Sequence, residues 1–251
     1  MPALPGLFVI GTDTAVGKTR IAAGIARVLC RQGRRVGVLK PVATSAELQP
    51  DGGWQSPDAT LLSEAIGGDV SPSRIAPIVL AGDVAPCVAA RLAGHVLDHA
   101  EVVRSTIEAI AWWGERCEAL IVEGVGGLLC PLAEDSTVAD LAVTLDYPLV
   151  IVARRGLGTL NHTLLTVEVA RLRGLRIAGV VLNGAEPTTN PVAEATNPDE
   201  LTRRLGRIPI LADLPHAEPV ETLGGAMHGV DWWGTARLPR LPPSDAPRGT
   251  S

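Results

Sequence analysis

The run Gly11-Thr12-Asp13-Thr14-Ala15-Val16-Gly17-Lys18-Thr19 directly follows the apolar stretch Leu7-Phe8-Val9-Ile10. A glycine-containing turn between a strand and a helix lets backbone N–H groups converge on phosphate oxygens. The helix adds the positive end of its dipole. The chemistry such a segment can do is polyphosphate binding, with Lys18 on the outer phosphates and the Thr19 hydroxyl on magnesium. Five residues separate Gly11 from Gly17, one more than the general phosphate-loop pattern allows.

Other chemically capable residues fall where strands should end. Lys40, in Lys40-Pro41-Val42-Ala43-Thr44, is either a solvated lysine at a loop start or a cation facing a transferring phosphoryl group. Asp58 follows Ser56-Pro57 and reads as a first-turn helix acid or as a magnesium carboxylate. Glu123 is sharper, because it closes the buried run Leu120-Ile121-Val122 and precedes Gly124-Val125-Gly126-Gly127. Phosphate-loop enzymes place a magnesium-side acid at such a strand end. Asn183, before Gly184, can read the edge of a base or form an ordinary turn. Gly156-Leu157-Gly158-Thr159-Leu160-Asn161-His162 joins a strand to a helix, and its free N–H groups either bind a carboxylate or cap the helix. His95 and His99 share a helix-face spacing that can hold zinc, but no third ligand accompanies them. The pairs Trp112-Trp113 and Trp232-Trp233 read as packing residues.

These residues need a scaffold that brings strand ends together. Short, almost continuously apolar runs at Leu7–Ile10, Arg35–Leu39, Ala119–Val122, Pro148–Ala153, Ile177–Leu182 and Ile208–Leu211 have the pattern of parallel strands covered on both faces. Arg74–Leu80 is a seventh, weaker candidate, interrupted by Pro77. Helix-period segments alternate with them at Lys18–Gln32, Asp58–Ile66, Asp98–Trp113, Thr137–Leu145, Leu160–Leu172 and Asp199–Leu205. Ala43–Ser56 reads as a polar loop. Alternation of this kind predicts a single α/β domain: a doubly wound, mostly parallel sheet of about seven strands, with helices on both faces and ligands at the C-terminal strand edges. The domain is expected over residues 1–238, with a disordered tail over 239–251.

The 251 residues are 46% hydrophobic but only 3% aromatic, so Val, Leu, Ile and Ala must build the core. A formal net charge of −5 disfavours nucleic acid and anionic membrane as partners. The four cysteines have no Cys-x-x-Cys pair and read as reduced thiols. Together with the short segment before the first strand, they predict a cytoplasmic protein.

The phosphate loop, Lys-Pro-Val-Ala-Thr, Val-Glu-Gly-Val-Gly-Gly-Leu-Leu-Cys-Pro-Leu and Gly-Leu-Gly-Thr-Leu-Asn-His-Thr-Leu-Leu-Thr stand in one order along the chain. In that set the sequence resembles the dethiobiotin synthetase family, phosphate-loop ligases of biotin biosynthesis, from Gly11 to about Glu221. The resemblance implies ATP and Mg2+, and closure of 7,8-diaminononanoate with CO2 or bicarbonate into a cyclic urea. It implies that Ala15, Val16, Gly17, Lys18, Thr19 and Arg20 hold the phosphates. It places Thr19, Asp58 and Glu123 on magnesium, with Gly124, Val125 and Gly126 beside them, and makes Lys18, Lys40 and Thr14 catalytic. Asn183, Gly184, Pro215, His216 and Ala217 would surround the adenine. Thr14, Thr44, Gly158, Thr159, Leu160 and Asn161 would hold the diamine and its carboxylate, the last four from the second subunit of a homodimer.

Two positions depart from the family pattern. Ala15 stands where some members carry Glu, and Ala85-Pro86-Cys87 where many have Pro-His. Rival readings on the same fold are a partition or positioning ATPase and a cobyrinate-type amide ligase. The first usually carries an extra lysine early in the loop, where this chain has Gly11-Thr12-Asp13. The second usually needs a glutaminase domain, for which this chain has no convincing Cys-His set.

Overall fold

In the computed structural model, residues 4–50, 53–187, 189–216 and 227–239 are described. The chain opens with β1 (Gly6–Gly11), buried along its whole length, and passes through the phosphate loop into α1 (Lys18–Arg31). Ile21, Ile25, Val28 and Leu29 form the buried stripe of α1, and Gly33, at φ 78°, turns the chain into β2 (Val36–Leu39). Next come β3 (Val42–Leu48), β4 (Trp54–Gln55), α2 (Pro57–Ala65), α3 (Pro72–Ile75), β5 (Ile78–Ala81) and α4 (Pro86–Leu92). Then α5 (His99–Gly114) leads to β6 (Ala119–Gly127), followed by the small pair β7 (Pro131–Ala133) and β8 (Ser136–Thr137). The last third alternates α6 (Val138–Leu145), β9 (Leu149–Arg154), α7 (Thr159–Leu172), β10 (Ile177–Asn183), α8 (Pro191–Leu205) and β11 (Ile210–Leu214). The short helix α9 (Trp232–Ala236) packs Trp232 into the core against β1 and α1.

The central sheet has six strands in the order β11-β10-β9-β1-β6-β2, and every pairing in it is parallel. From β1 the chain runs out to β2 at one edge. It returns to insert β6 between them, then crosses to β9 and steps outward on the other side. The phosphate loop therefore leaves β1 at the point where winding reverses, the crevice in which open α/β sheets bind ligands. The register sets Val9 opposite Glu123 and Gly11 opposite Gly127, so the acid-glycine segment of β6 lies beside the root of the loop.

All six strong strand candidates join this sheet. The seventh does not. Pro77, lacking an N–H, divides it into α3 and β5, and β5 pairs with β3 in a separate three-stranded sheet with β4. The stretch read as a polar loop after Ala43 contains β3, whose outer half is exposed and carries polar residues. Helix α8 begins eight residues before the expected Asp199, because Asn190 caps it by accepting from Ala193 N (3.0 Å) and Pro191 occupies its first position. Of the expected tail, residues 240–251 lie outside the described residues.

Candidate active site

The loop is built by glycines used for closeness and for handedness. A Cβ on Gly11 would sit 2.6 Å from the Asp13 carbonyl and 3.1 Å from the Gly126 carbonyl, so only glycine lets β1 turn against β6. Gly17 begins α1 at φ 90°, where a Cβ would collide with the Asn183 amide. Ala15 is also left-handed, at φ 56°, a costly conformation for a residue with a Cβ. Lys18 curls back to donate to the Asp13 carbonyl (3.1 Å). Its burial lowers the ammonium pKa below the ordinary lysine value, despite the Glu123 carboxylate nearby.

Three charged groups and a hydroxyl meet beneath the loop. Lys40, at the end of β2, is 4% exposed and donates to Glu123 Oε1 at 2.8 Å and to Asp58 Oδ2. The Thr19 hydroxyl lies within bonding distance of Asp58 Oδ1 (2.9 Å) and Glu123 Oε1 (2.8 Å), and with one proton it serves one of them at a time. Burial draws the Lys40 pKa down, but Glu123 and Asp58 together overcome it and hold the ammonium above its usual range. Burial pushes the fully enclosed Glu123 carboxyl up, against the pull of Lys40. Asp58 is also opposed by burial, yet the Lys40 ammonium and the bonds from Lys40 and Thr19 keep it low. Lys40 is thus no solvated loop lysine. It bridges two carboxylates.

The donor set suits a hard cation. Two carboxylates and a hydroxyl from three elements are oxygen ligands, and magnesium takes few protein ligands when phosphates supply the rest. Glu123 Oε2 is buried without a hydrogen-bond partner, an orphan acceptor that a cation would satisfy. Within the cluster the two lysines and two carboxylates cancel, so a cation held there would add the positive charge that a phosphate needs.

Beside the loop, a cavity of about 170 Å³ is lined by Ala15, Arg154, Arg155, Asn183, Gly184 and Glu194. Asn183 is fully buried and donates Nδ2 to the Val16 carbonyl (2.8 Å), which leaves Oδ1 without a partner. His216 Nδ1 lies 3.0 Å from the Gly184 carbonyl, and the Pro215–His216 backbone packs against Gly184 closely enough to exclude a side chain there. Ala217 lies outside the described residues. Arg20 sits half-buried on the first turn of α1, and Gly124, Val125 and Gly126 continue β6 towards the loop.

Thr14 is exposed at the loop crest and Thr44 is half-buried on β3. Gly158, at φ 91°, caps α7, with Thr159 buried and Asn161 exposed on its first turn. A larger, more open cavity of about 330 Å³ runs between Thr12, Asp13, Gly127 and Cys130 on one side and His162 and Leu165 of α7 on the other. Cys87 is buried in α4.

Three residues absent from the sequence reading also shape the site. Arg154 donates Nη2 to Asp13 Oδ2 and to the Thr14 carbonyl, both at 3.1 Å. Arg155 pairs with both oxygens of Asp213 (2.5 and 3.1 Å) and with Glu194 Oε1 (2.7 Å), tying β9 to β11 and α8. Asn197 completes that corner by donating to the Arg155 and Gly156 carbonyls, both at 2.9 Å.

A parallel α/β sheet whose central strand opens a phosphate loop, with lysine and carboxylates at neighbouring strand ends, defines a phosphate-loop nucleotide-binding protein. Solved structures share the fold: the cell division protein FtsY from Thermotoga maritima matches with TM-score 0.50 and 14% identity over 91% of this chain and 70% of that one. The signal recognition particle receptor FtsY from Elizabethkingia anophelis, solved in complex with GDP, matches with TM-score 0.54 and 10% identity over 94% of this chain and 64% of that one. A family model described as an AAA domain matches residues 5–222. ATP-dependent dethiobiotin synthetases from Bacillus licheniformis and Anaeromyxobacter dehalogenans are 40% and 44% identical, over 86% and 84% of this chain and 87% and 89% of theirs. The chain belongs to the ATP-dependent dethiobiotin synthetase family.

Proposed function

We propose that this protein uses ATP to close 7,8-diaminononanoate and CO2 into dethiobiotin, releasing ADP and phosphate. The observation that carries the reading is the buried Lys40–Glu123–Asp58–Thr19 cluster under a phosphate loop, in a chain 40–44% identical to dethiobiotin synthetases.

One amine of the substrate captures CO2 as a carbamate. The carbamate oxygen attacks the γ-phosphorus and ADP leaves, giving a carbamic–phosphoric anhydride. The second amine attacks the anhydride carbon and expels phosphate, closing the ring. No side chain acts as a nucleophile. The protein positions reactants and stabilises charge. The loop N–H groups from Ala15 to Thr19 and the Arg20 turn hold the phosphates, and Lys18 turns from the Asp13 carbonyl to reach them. Lys40 stays protonated between its carboxylates and faces the transferring group. Thr19, Asp58 and Glu123 would hold Mg2+, which when bound neutralises phosphate charge. Asn183, Gly184, Pro215 and His216 enclose the base.

Thr14 and Thr44 border the reacting amines, and the N–H groups of Gly158–Asn161 take the substrate carboxylate from the second subunit of a homodimer. Leu129, Leu165 and Leu172 lie exposed on and beside α7, an apolar face that supports pairing there. No described helix is long and apolar enough to cross a membrane, which is compatible with a cytoplasmic enzyme. In a phosphate-release assay with Mg2+ and ATP, turnover should require both diaminononanoate and bicarbonate. Turnover indifferent to the diamine would favour a nucleotide-switched ATPase.

A further inference from the structure

We infer that Arg154 is a positioning residue for the nucleotide, acting through Asp13 and the crest of the phosphate loop. The inference rests on the proposed ATP site, but not on what the ATP is used for.

Asp13 is an awkward residue for a polyphosphate loop. It places a carboxylate one residue from the crest, in a segment that must accept several negative charges. The nearby Lys18 bonds its backbone carbonyl and not its side chain. The compensating charge comes from 141 residues away. Arg154 ends β9, the strand hydrogen-bonded to β1, so the sheet itself delivers the guanidinium to the loop. Its Nη2 group is shared between Asp13 Oδ2 and the Thr14 carbonyl, both at 3.1 Å.

The same contacts fix the backbone. Asp13 Oδ1 accepts from Thr14 N (2.7 Å), its Oδ2 and the Thr14 carbonyl accept from Arg154, and its own carbonyl accepts from Lys18. The peptide between Asp13 and Thr14 is therefore held at both polar ends. The next residue is Ala15, whose left-handed backbone persists only if its surroundings determine it. Arg154 supplies part of that determination. It also lines the cavity beside Ala15 and Asn183, so its charge faces the space a nucleotide would fill.

Both side chains of the pair are more than 40% exposed, so the bridge contributes little to global stability. That separates a positioning role from a structural one. Affinity of the full chain for Mg·ATP, measured by titration calorimetry, should weaken about tenfold in Arg154→Ala with an unchanged melting temperature. Removing the uncompensated charge in Asp13→Asn/Arg154→Ala should recover affinity to within about threefold of the parent. Unchanged affinity in Arg154→Ala would overturn the inference. So would a loss that the double variant does not recover, since the arginine would then act on the phosphates directly. If the parent binds ATP but shows no diamine-dependent turnover, the proposed reaction fails and the role of Arg154 stands.

Discussion

Replacing Lys40 by Met tests whether the buried cluster is an electrostatic unit. The substitution keeps most of the stem volume and removes the ammonium, leaving Glu123 as a fully enclosed carboxylate facing Asp58 with no ion-paired partner and only the field of nearby Lys18. Breaking a buried pair from one side costs about 3–5 kcal/mol, because the remaining charge is uncompensated. The Asp58 arm adds little, since that side chain is 38% exposed. At about 2–4 °C per kcal/mol for a domain of this size, the melting temperature should fall by roughly 6–20 °C at pH 8. Glu123 already has a raised pKa through burial, and losing Lys40 raises it further. A carboxyl whose folded pKa exceeds its unfolded value contributes fully below the unfolded value and loses that contribution as pH rises through the folded one. The deficit should therefore narrow towards pH 5. Adding Glu123→Gln removes the stranded charge and should restore most of the stability. It should not restore activity, where losing one cation at the phosphoryl group costs on the order of 10²–10³ in rate. Thermal melts and phosphate release on the single and double variants separate the two effects. A single variant melting within about 2 °C of the parent at pH 8, or a double variant melting as low as the single, would refute the reasoning.

Other expectations are independent of that one. Asp58→Asn should flatten the acid limb of stability: the Asp58 pKa is depressed, so its contribution is present above the unfolded value near 4 and lost as pH falls through the folded one. Melts of parent and variant should differ at pH 6 and converge below about pH 4. Gly17→Ala forces a Cβ into the Asn183 amide at φ 90° and should abolish ATP binding by calorimetry while circular dichroism still shows a folded α/β protein. Arg155→Ala leaves Glu194 and Asp213 unpaired where Arg155 is largely enclosed, and should lower stability by about 1–3 kcal/mol in urea melts.

What the sequence revealed and what it hid have physical causes. The central strands were legible because β1, β6, β9 and β10 are buried on both faces, which forces almost continuous apolar runs. Lys18, Thr19, Lys40, Asp58 and Glu123 were legible because parallel topology puts strand ends beside one loop, and each stood at an expected strand end or helix start. β3 was hidden because its outer half faces solvent and needs no apolar pattern. The start of α8 was hidden by Asn197-Pro198, a pair that usually stops a helix, but here Asn197 is buried and tied to the Arg155 and Gly156 carbonyls. Arg154 and Arg155 gave no signal. An arginine at a strand end has no diagnostic spacing, and its partners lie on other elements. Asn183 stood out as an amide at a strand end, but its grip on the Val16 carbonyl spans 167 residues and appears only in the fold.

The most direct test of the proposed reaction is to follow the carbon. Purified protein is given Mg·ATP, 7,8-diaminononanoate and ¹³C-bicarbonate, and the product is read by mass spectrometry alongside ADP. The expected result is dethiobiotin carrying one ¹³C in its ureido ring, formed one for one with ADP and absent when the diamine is withheld. ADP formed at the same rate without the diamine, or with no labelled ring product, would contradict it.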